Sequence, residues 1–161
     1  MKVIVAPDHA NIDRPALYLL GGITGCPDWQ SLVCKKLQSA SKGTIFNPRR
    51  EYFERTEVSL REQANWAYLA AWTSNVLAFW FSEGESQQAI ATFELGLHLG
   101  RYMAGIGTKI VVGAHPSYVN RRELEMQIEM INLNFHGPWR LPLMPDMETF
   151  LAKIVDTLSS F

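Results

Sequence analysis

The sequence lacks most features that mark a secreted, membrane-bound or nucleic-acid-binding protein. Its 161 residues include only two cysteines, Cys26 and Cys34, at a spacing that fits no zinc motif, so we expect reduced thiols in a cytoplasmic protein. No apolar run reaches the length of a membrane span, and residues 1–8 lack the apolar core of a signal peptide. The net charge of −1 offers no basic surface, which argues against nucleic acid and membrane partners.

Metal and cofactor sites also lack their usual signatures. The glycine-rich segment Gly21–Gly25 matches neither the dinucleotide fingerprint nor the phosphate-binding loop. The segment is either a ligand contact at a strand end or an ordinary tight turn. No cluster has metal-ligand spacing, because the histidines are scattered along the chain at His9, His98, His115 and His136. We therefore predict no metal and no cofactor.

Strand-like and helix-like segments alternate along the chain without a linker, which predicts one domain over residues 1–161. This order favours an α/β fold, a small doubly wound and mostly parallel sheet of the flavodoxin-like or Rossmann-like kind flanked by helices. The predicted strands are four core strands and one uncertain edge strand: Ala16–Leu20, Gly43–Asn47, Asn75–Phe81 and Lys109–Gly113, with Lys2–Ala6 at the edge.

Four helices besides the one that follows Phe81 are predicted from caps and apolar stripes. Asp28, an Asn120 capping box and Asp146 begin three of them, and the fourth runs from about Ser59 to Ser74. Gly105, Gly107 and residues 134–138 interrupt the pattern. The helix after Asp28 has an apolar stripe of Trp29, Leu32, Val33, Leu37 and Ala40, and the helix from about Ser59 has one of Leu60, Ala64, Ala67 and Ala71. The stripe of the helix after Asn120 is Leu124, Ile128 and Ile131, and that of the last helix is Met147, Phe150, Leu151, Ile154 and Leu158.

Glu94 is the residue that most needs an explanation. It follows the most strand-like run of the sequence, Val76–Phe81, and shares a predicted helix face with Ile90, Ala91, Leu97 and His98. Ligands bind at the carboxyl ends of strands in open α/β sheets. A carboxylate on a mostly apolar face costs free energy unless a partner or a ligand uses it. Glu94 is either a functional carboxylate at such an edge or a solvated or paired helix residue.

Five short segments stand in a fixed order along the chain: Leu19–Ile23, Asn47–Arg50, Gln63–Trp66, Leu77–Trp80 and Phe93–Gly96. This ordered set resembles the nucleoside 2-deoxyribosyltransferase family. It resembles in particular a branch that carries N-P-R-R and Q-x-x-W segments, and the later Gly113–Tyr118 resembles that branch too. The resemblance covers about residues 16 to 125.

The resemblance implies that Glu94 is the nucleophile. In such an enzyme the carboxylate attacks C1′ of a 2′-deoxynucleoside, the base leaves, and a covalent glycosyl ester forms. A second nucleobase then attacks from the same face as the first base left. An apolar wall around the carboxylate would hinder attack by water. The substrates implied are 2′-deoxynucleosides and free nucleobases.

The other predicted site residues are substrate contacts. Gly21, Gly22 and Ile23 would form a floor for the base or sugar, Asn47 and Arg49 would reach the same crevice, and Gln63 would read a base edge. Trp66 would line the pocket or lie in the core, and Asn47 and Arg49 could equally form a solvated turn. Gln88 joins the set because it stands where the classical enzymes place an Asp near the sugar 5′ end.

Two departures from the family pattern leave leaving-group protonation without an agent. The branch carries a carboxylate directly after the Q-x-x-W tryptophan, where this chain has Ala67, and the Asp position is Gln88. Three functions therefore remain: a deoxyribosyltransferase, an N-glycosidase that hydrolyses nucleosides or nucleoside 5′-monophosphates, and a non-catalytic nucleoside-binding module. The family resemblance also predicts a homo-oligomer, and five tryptophans are consistent with an aromatic interface.

Overall fold

The central sheet of the computed structural model is parallel throughout the part of the chain that it describes, residues 1–39, 42–105, 108–134 and 140–161. Its strand order is β1-β3-β2-β4-β5-β6, and every neighbouring pair is parallel. The predicted doubly wound α/β fold is therefore confirmed. The strands are β1 (Lys2–Val5), β2 (Ala16–Gly21), β3 (Thr44–Asn47), β4 (Val76–Phe81), β5 (Lys109–Ala114) and β6 (Leu143–Met144).

The two edge strands are where the sequence prediction was weakest. The uncertain strand at the N-terminus is real, since β1 pairs with β3 along four residues. The prediction of four or five strands missed β6, which pairs Leu143 with Val112 and Met144 with Gly113. Two residues are too few to show an alternating pattern, so only the pairing with β5 identifies them as a strand.

Five helices in the described ranges cover the two faces of the sheet. Helices α1 (Trp29–Gln38) and α5 (Met147–Leu158) pack on one face, and α2 (Glu57–Thr73), α3 (Ala89–Met103) and α4 (Arg121–Asn134) pack on the other. We refer to these as the α1–α5 layer and the α2–α4 layer. In β4, whose six residues are all buried, alternate side chains enter the two cores.

The caps explain where most helices begin. Asp28, Thr56 and Asp146 each accept a hydrogen bond from the backbone N–H three residues later, at the starts of α1, α2 and α5. With Thr56 as its cap, α2 begins at Glu57, two residues before the predicted Ser59. Helix α3 differs, because its cap residue Gln88 lies in the left-handed region (φ 51°) and makes no side-chain cap hydrogen bond with the described residues.

Two predicted apolar stripes were partly wrong. Leu32 is 43% exposed on α1, and Leu60 is 43% exposed on α2, where Ala64 is exposed as well. Helix α2 instead buries Trp66, Ala70 and Ala71, because the large indole ring fixes which side of the helix faces the sheet. The stripes of α4 and α5 face the core as predicted. Ala40, Gly107 and residues 135–138, on which other predictions fell, lie outside the described residues.

The topology creates a crevice between the carboxyl ends of β2 and β4. Helix α1 carries the chain from β2 to β3 on one side of this point, and α3 carries it from β4 to β5 on the other. Loops that diverge in this way leave a ligand-binding gap at the strand ends. Within the ranges given above, none of the helices combines the length and apolar character that crossing a bilayer requires.

Candidate active site

Glu94 lies in the second turn of α3 as a half-buried carboxylate without a partner. Among the residues that the structure describes, none donates a hydrogen bond to it or forms an ion pair with it. Burial raises the pKa of Glu94 from 4.5 to about 7. A desolvated carboxylate costs free energy, and such groups are more common at functional sites than elsewhere. The surroundings differ from the prediction, because Ile90 and Leu97 are 73% and 51% exposed.

Tyr18 of β2 responds to the charge of Glu94. Burial and then the charge of Glu94 raise the pKa of this phenol well above its usual value. The Tyr18 ring meets the ring of Trp66 edge-on, with centroids 5.9 Å apart. Tyr18 of β2 and Trp66 of α2 therefore pack together as one aromatic wall.

The glycine turn after β2 is tightly filled by the protein itself. A Cβ at Gly21 would lie 2.0 Å from the carbonyl oxygen of Trp80, and one at Gly22 would lie 2.5 Å from Cys26 Sγ. The Gly22 carbonyl accepts hydrogen bonds from the side chains of Trp29 and Gln30. The missing side chain at Gly22 thus lets Cys26 and Gln88 approach, and Ile23 beside it is half-buried.

Gln88 closes the loop between β4 and α3. Its Oε1 accepts a hydrogen bond from the Ser82 N–H at 3.3 Å, and its Nε2 donates to the Ser82 carbonyl at 2.8 Å. Its side chain is 7% exposed and would contact any Cβ at Gly22. Both polar ends of the amide are occupied, so Gln88 fixes the backbone at the crevice floor.

Arg49 joins the end of β3 to the turn after β2. Its Nη2 donates to the carbonyls of Ile23, Cys26 and Pro27, and its Nε donates to Gln30 Oε1. The side chain of Asn47 accepts the Arg49 backbone N–H at 2.9 Å and is itself buried. Both residues sit at the predicted strand end, and their hydrogen bonds hold the 23–27 turn in place.

Gln63 and Trp66 occupy adjacent turns of α2 and have partners of their own. Gln63 donates to the Pro48 carbonyl and accepts from Arg50 Nε, so both ends of its amide are used. Trp66 is 3% exposed, and its indole N–H donates to the Asp8 carbonyl at 2.9 Å. Trp66 is a core residue whose ring also forms the wall beside Tyr18.

Two surface hollows lie away from these residues. One, of about 420 Å³, is lined by residues of α4 and of the segment 140–143, and the other, of about 520 Å³, lies at the opposite edge of the sheet near Lys2, Arg14 and Lys42. Neither includes Glu94, and neither lies at the carboxyl ends of the central strands. We place the candidate site at the crevice because an unpartnered carboxylate and the strand topology coincide there.

Three residues that the sequence prediction missed contribute to this region. Tyr18 was assigned only to a buried strand, although a phenol in such a run needs a polar neighbour and could have been noticed. Gln30 is fully buried and binds both Arg49 and the Gly22 carbonyl. Arg50 was seen only as part of N-P-R-R, yet it binds Gln63 and Glu62. For Gln30 and Arg50 no local signal exists, since their partners are distant in sequence.

A comparison with known protein families covers the part of the chain that forms the crevice. The family model described as "Nucleoside 2-deoxyribosyltransferase like" matches residues 14–118, about two-thirds of the chain. The matched region contains β2 to β5 with α1 to α3, and therefore Glu94, Tyr18 and both loops of the crevice. No curated protein matches the chain.

Proposed function

The chain belongs to the nucleoside 2-deoxyribosyltransferase-like family, and from that premise we propose that it transfers the 2-deoxyribosyl group between nucleobases through Glu94. The observation that supports this most is the half-buried Glu94 carboxylate at the crevice, which has no hydrogen-bond or ion-pair partner among the described residues. Family membership implies small nucleoside substrates, and the geometry supplies one group able to attack a sugar carbon. No metal or cofactor enters the proposed reaction.

In the first half-reaction Glu94 attacks C1′ of a 2′-deoxynucleoside. A bond forms between a carboxylate oxygen and C1′ while the C1′–N bond breaks, and its electron pair leaves with the base. The negative carboxylate stabilises the oxocarbenium-like charge that builds up on the sugar. In the second half-reaction a ring nitrogen of another base attacks C1′, Glu94 departs as carboxylate, and the incoming base releases its N–H proton. The product keeps its original configuration.

Desolvation supports Glu94 in this role. With a pKa of about 7 the side chain is a large fraction ionised at neutral pH, and its ionised form lacks hydrogen-bonded partners among the described residues. Such a carboxylate loses little solvation when it forms an ester. The charge of Glu94 also raises the pKa of the buried Tyr18 phenol, so the two groups interact electrostatically.

The two alternatives fit the same pocket less well. A nucleoside 5′-monophosphate would need phosphate contacts, and the guanidinium of Arg49, one candidate for them, already donates to four protein oxygens. A binding module would use the Glu94 carboxylate only as an acceptor for ligand hydrogen bonds, and it would bind nucleosides without turnover. Hydrolysis of an unphosphorylated nucleoside differs from transfer only in the second nucleophile, so product analysis separates the two.

The experiment incubates the protein with thymidine and free adenine and separates the products. Deoxyadenosine indicates transfer, thymine with free deoxyribose indicates hydrolysis, and binding without turnover indicates a module. We expect deoxyadenosine, and we expect Glu94→Gln to lower kcat at least about a thousandfold. The matched control is Glu57→Gln, a highly exposed glutamate at the start of α2. Full activity of the Glu94→Gln variant would exclude the proposed mechanism.

We further propose that the chain forms a homo-oligomer through the outer surface of α2 and α3. Six large apolar side chains there are between 51% and 73% exposed: Tyr68, Leu69, Trp72, Ile90, Phe93 and Leu97. The Arg101 guanidinium lies 3.9 Å from the Trp72 ring centroid, which joins the two helices into one surface. At about 200 Å² for a fully exposed large side chain, the six expose on the order of 700 Å².

This area supports a second copy of the chain as the occupant. A standard interface buries roughly 800 Å² per partner, and the surface also contains Gly96 and Gly100, where an added Cβ would meet open space. These glycines lower helix propensity without a packing reason inside one chain, and they would let a second helix approach closely. Sedimentation equilibrium is expected to show an oligomer for the wild type and for Leu32→Asp in the other layer, and monomers for Phe93→Asp. A monomeric wild type would contradict the proposal.

A further inference from the structure

The hollow at the edge of the sheet opposite the crevice gathers three basic side chains. Lys2 is the first residue of β1, and Arg14 and Lys42 stand two residues before β2 and β3. The three strands are neighbours in the order β1-β3-β2 and are parallel, so their amino ends meet at one edge. Since adjacent strands lie about 4.8 Å apart, these long side chains begin close to one another. We refer to this hollow as the basic hollow.

The charges of the basic hollow are not compensated by ion pairs. Within the described part of the chain, Lys2, Arg14 and Lys42 form no ion pair with any carboxylate. Asp13 is the one acidic residue among the described residues that line the hollow, so three cations and one anion leave a net side-chain charge of +2. The whole chain has a net charge of −1, so the fold concentrates positive charge at this edge.

Hydrogen-bond donors are also left over in the basic hollow. Arg14 Nη1 donates to the Thr73 carbonyl at 2.6 Å and to Asn75 Oδ1 at 2.9 Å, which fixes the guanidinium. Its Nε and Nη2 have no acceptor among the described residues, and neither has Lys42 Nζ. Lys2 Nζ has one hydrogen bond of 3.3 Å to a backbone carbonyl. A guanidinium edge with two parallel N–H groups is the donor pair that binds phosphate oxygens bidentately.

The backbone beneath these side chains is held by hydrogen bonds and by one glycine. The Lys2 N–H donates to the Gly43 carbonyl at 2.7 Å, and the Thr44 N–H donates to the Pro15 carbonyl at 3.1 Å. Gly43 has a φ of 113°, and a Cβ there would lie 2.1 Å from the Pro15 carbonyl oxygen. The Met1 amino group, which also lines the hollow, donates to two carbonyls at the end of α1. The floor is therefore preformed, as is usual for small-molecule sites.

We propose that the basic hollow binds a small phosphorylated molecule, whose phosphate monoester is held by Lys2, Arg14 and Lys42. A phosphate monoester carries a charge of about −1.5 to −2 at neutral pH, which matches the net side-chain charge of the hollow. The volume of about 520 Å³ is typical of small-molecule sites and is more than a phosphate group alone fills. The ligand therefore has a further polar part, whose hydroxyl groups would donate to the Asp13 carboxylate.

This site is separate from the proposed reaction. It lies at the amino ends of β1, β3 and β2, whereas Glu94 lies near the carboxyl ends of the central strands, so ligand binding there requires no nucleoside in the crevice. A concave hollow favours a free molecule over the headgroup of a lipid in a flat membrane surface. The net charge of the sequence does not reveal the site, because its basic residues come from three separate segments.

The first experiment titrates ribose 5-phosphate, inorganic phosphate and ribose into the full chain and measures the heat of binding. We expect ribose 5-phosphate to bind with a Kd of about 1 mM or lower in about 20 mM salt, and inorganic phosphate to bind more weakly. Binding should weaken in about 200 mM salt, because salt screens exposed charges. Ribose should not bind. Absence of binding by ribose 5-phosphate, or equal binding by ribose, would overturn the inference.

A matched pair of variants tests whether the hollow itself supplies the charge. Lys42→Glu should raise the Kd of ribose 5-phosphate at least about tenfold, and Lys42→Arg should leave it nearly unchanged. Neither change removes a hydrogen bond or ion pair seen among the described residues, so both variants should fold. The control is Arg122→Glu, the same change of charge at a 76% exposed residue of α4. Equal loss of affinity in Lys42→Glu and Arg122→Glu would show that only the overall charge matters, against the proposal.

Two further measurements locate the ligand and identify its source. Amide NMR shifts caused by ribose 5-phosphate should centre on residues 2, 13–14 and 42–43, and shifts confined to the crevice loops would contradict the proposed site. Vesicles of phosphatidylcholine and phosphatidic acid in equal amounts should not sediment the protein. Sedimentation that depends on Lys42, without binding of ribose 5-phosphate, would assign the hollow to a lipid headgroup and overturn the proposal. No nucleoside is present, so these results stand even if the turnover experiment fails.

Discussion

The two helical layers of this protein are completed in different ways. In the α1–α5 layer the Phe150 ring packs against Trp80 at 5.1 Å and Trp29 at 6.3 Å, and both helices have side-chain caps. In the α2–α4 layer α3 has no described side-chain cap, Glu94 has no partner among the described residues, and Phe93 is 70% exposed. The first layer thus has both helix starts capped around a buried aromatic cluster, whereas in the second layer α3 leaves Phe93 largely exposed. We infer that the first supplies stability and the second supplies the site and its contacts.

The largest expected effect compares two phenylalanines. Phe150 in α5 is fully buried, and its replacement by Ala should lower the free energy of unfolding by about 3–5 kcal/mol through lost burial and a cavity. Phe93→Ala in α3 should cost less than about 0.5 kcal/mol in the monomer, because the ring is already in water. Denaturant unfolding measures both. Similar losses for the two variants would contradict the division between the layers.

The next effect concerns pH and Glu94. Because burial raises its pKa from 4.5 to about 7, the native state keeps a proton that the unfolded chain releases in that interval. Stability from this group therefore falls as pH rises from about 4.5 to about 7 and stays low above it. Glu94→Gln should add about 3 kcal/mol at about pH 8 and nothing near pH 4. Asp146, the cap residue of α5, is expected to change stability with pH in the opposite direction.

For Asp146 the hydrogen bonds from Thr149 lower the pKa, so its contribution is present above the unfolded pKa and is lost as pH falls through the folded one. Thermal melts of Glu94→Gln between about pH 4 and pH 8, and of Asp146→Asn from neutral pH to well below the ordinary aspartate pKa of 3.8, test the two signs. If the Glu94 variant were less stable than the wild type at alkaline pH, the carboxylate would have a partner that the geometry does not reveal.

The smallest expected effect compares two glycines. Gly22→Ala in the crevice should cost about 1–3 kcal/mol, because the new Cβ would lie 2.5 Å from Cys26 Sγ and 2.7 Å from Gln88 Oε1. It should also raise KM, since Gln88 must move. Gly100→Ala on α3 should instead stabilise the monomer by up to about 1 kcal/mol, because its Cβ meets open space. Calorimetry at concentrations where the chain is monomeric measures the stability change of each variant. Stability changes of the same sign in Gly22→Ala and Gly100→Ala would contradict this comparison.

Local patterns predicted most of the fold. The positions of β2 to β5, of both Asp caps and of the α4 and α5 stripes follow from side-chain period and capping chemistry, which act over a few residues. The strand β6 and the rotation of α2 could not be predicted in this way. A two-residue strand exists only through its pairing with β5, and the side of α2 that faces the sheet depends on where the Trp66 ring fits.

The candidate site likewise has features that the sequence predicts and features that only the folded structure sets. Glu94 stands out in the sequence because a carboxylate among apolar helix residues after a strand is unusual. The hydrogen bonds of Arg49, Gln63 and Gln88 could not be predicted, since most of their partners come from other elements of the fold. Sequence reasoning therefore placed these residues at the crevice as substrate contacts, whereas the folded chain uses their polar groups to hold its own loops.

The sequence alone determined the alternation of strands and helices and the presence of Glu94 after the most buried strand. Only the tertiary structure decided which polar groups are already paired. Arg49 is saturated by Gln30 and three carbonyls, while Arg50 Nη2 and the Glu94 carboxylate have no partner among the described residues. The physical reason is that a hydrogen bond depends on distances within about 3 Å between atoms remote in the chain. The order of residues does not fix such distances until the chain has folded.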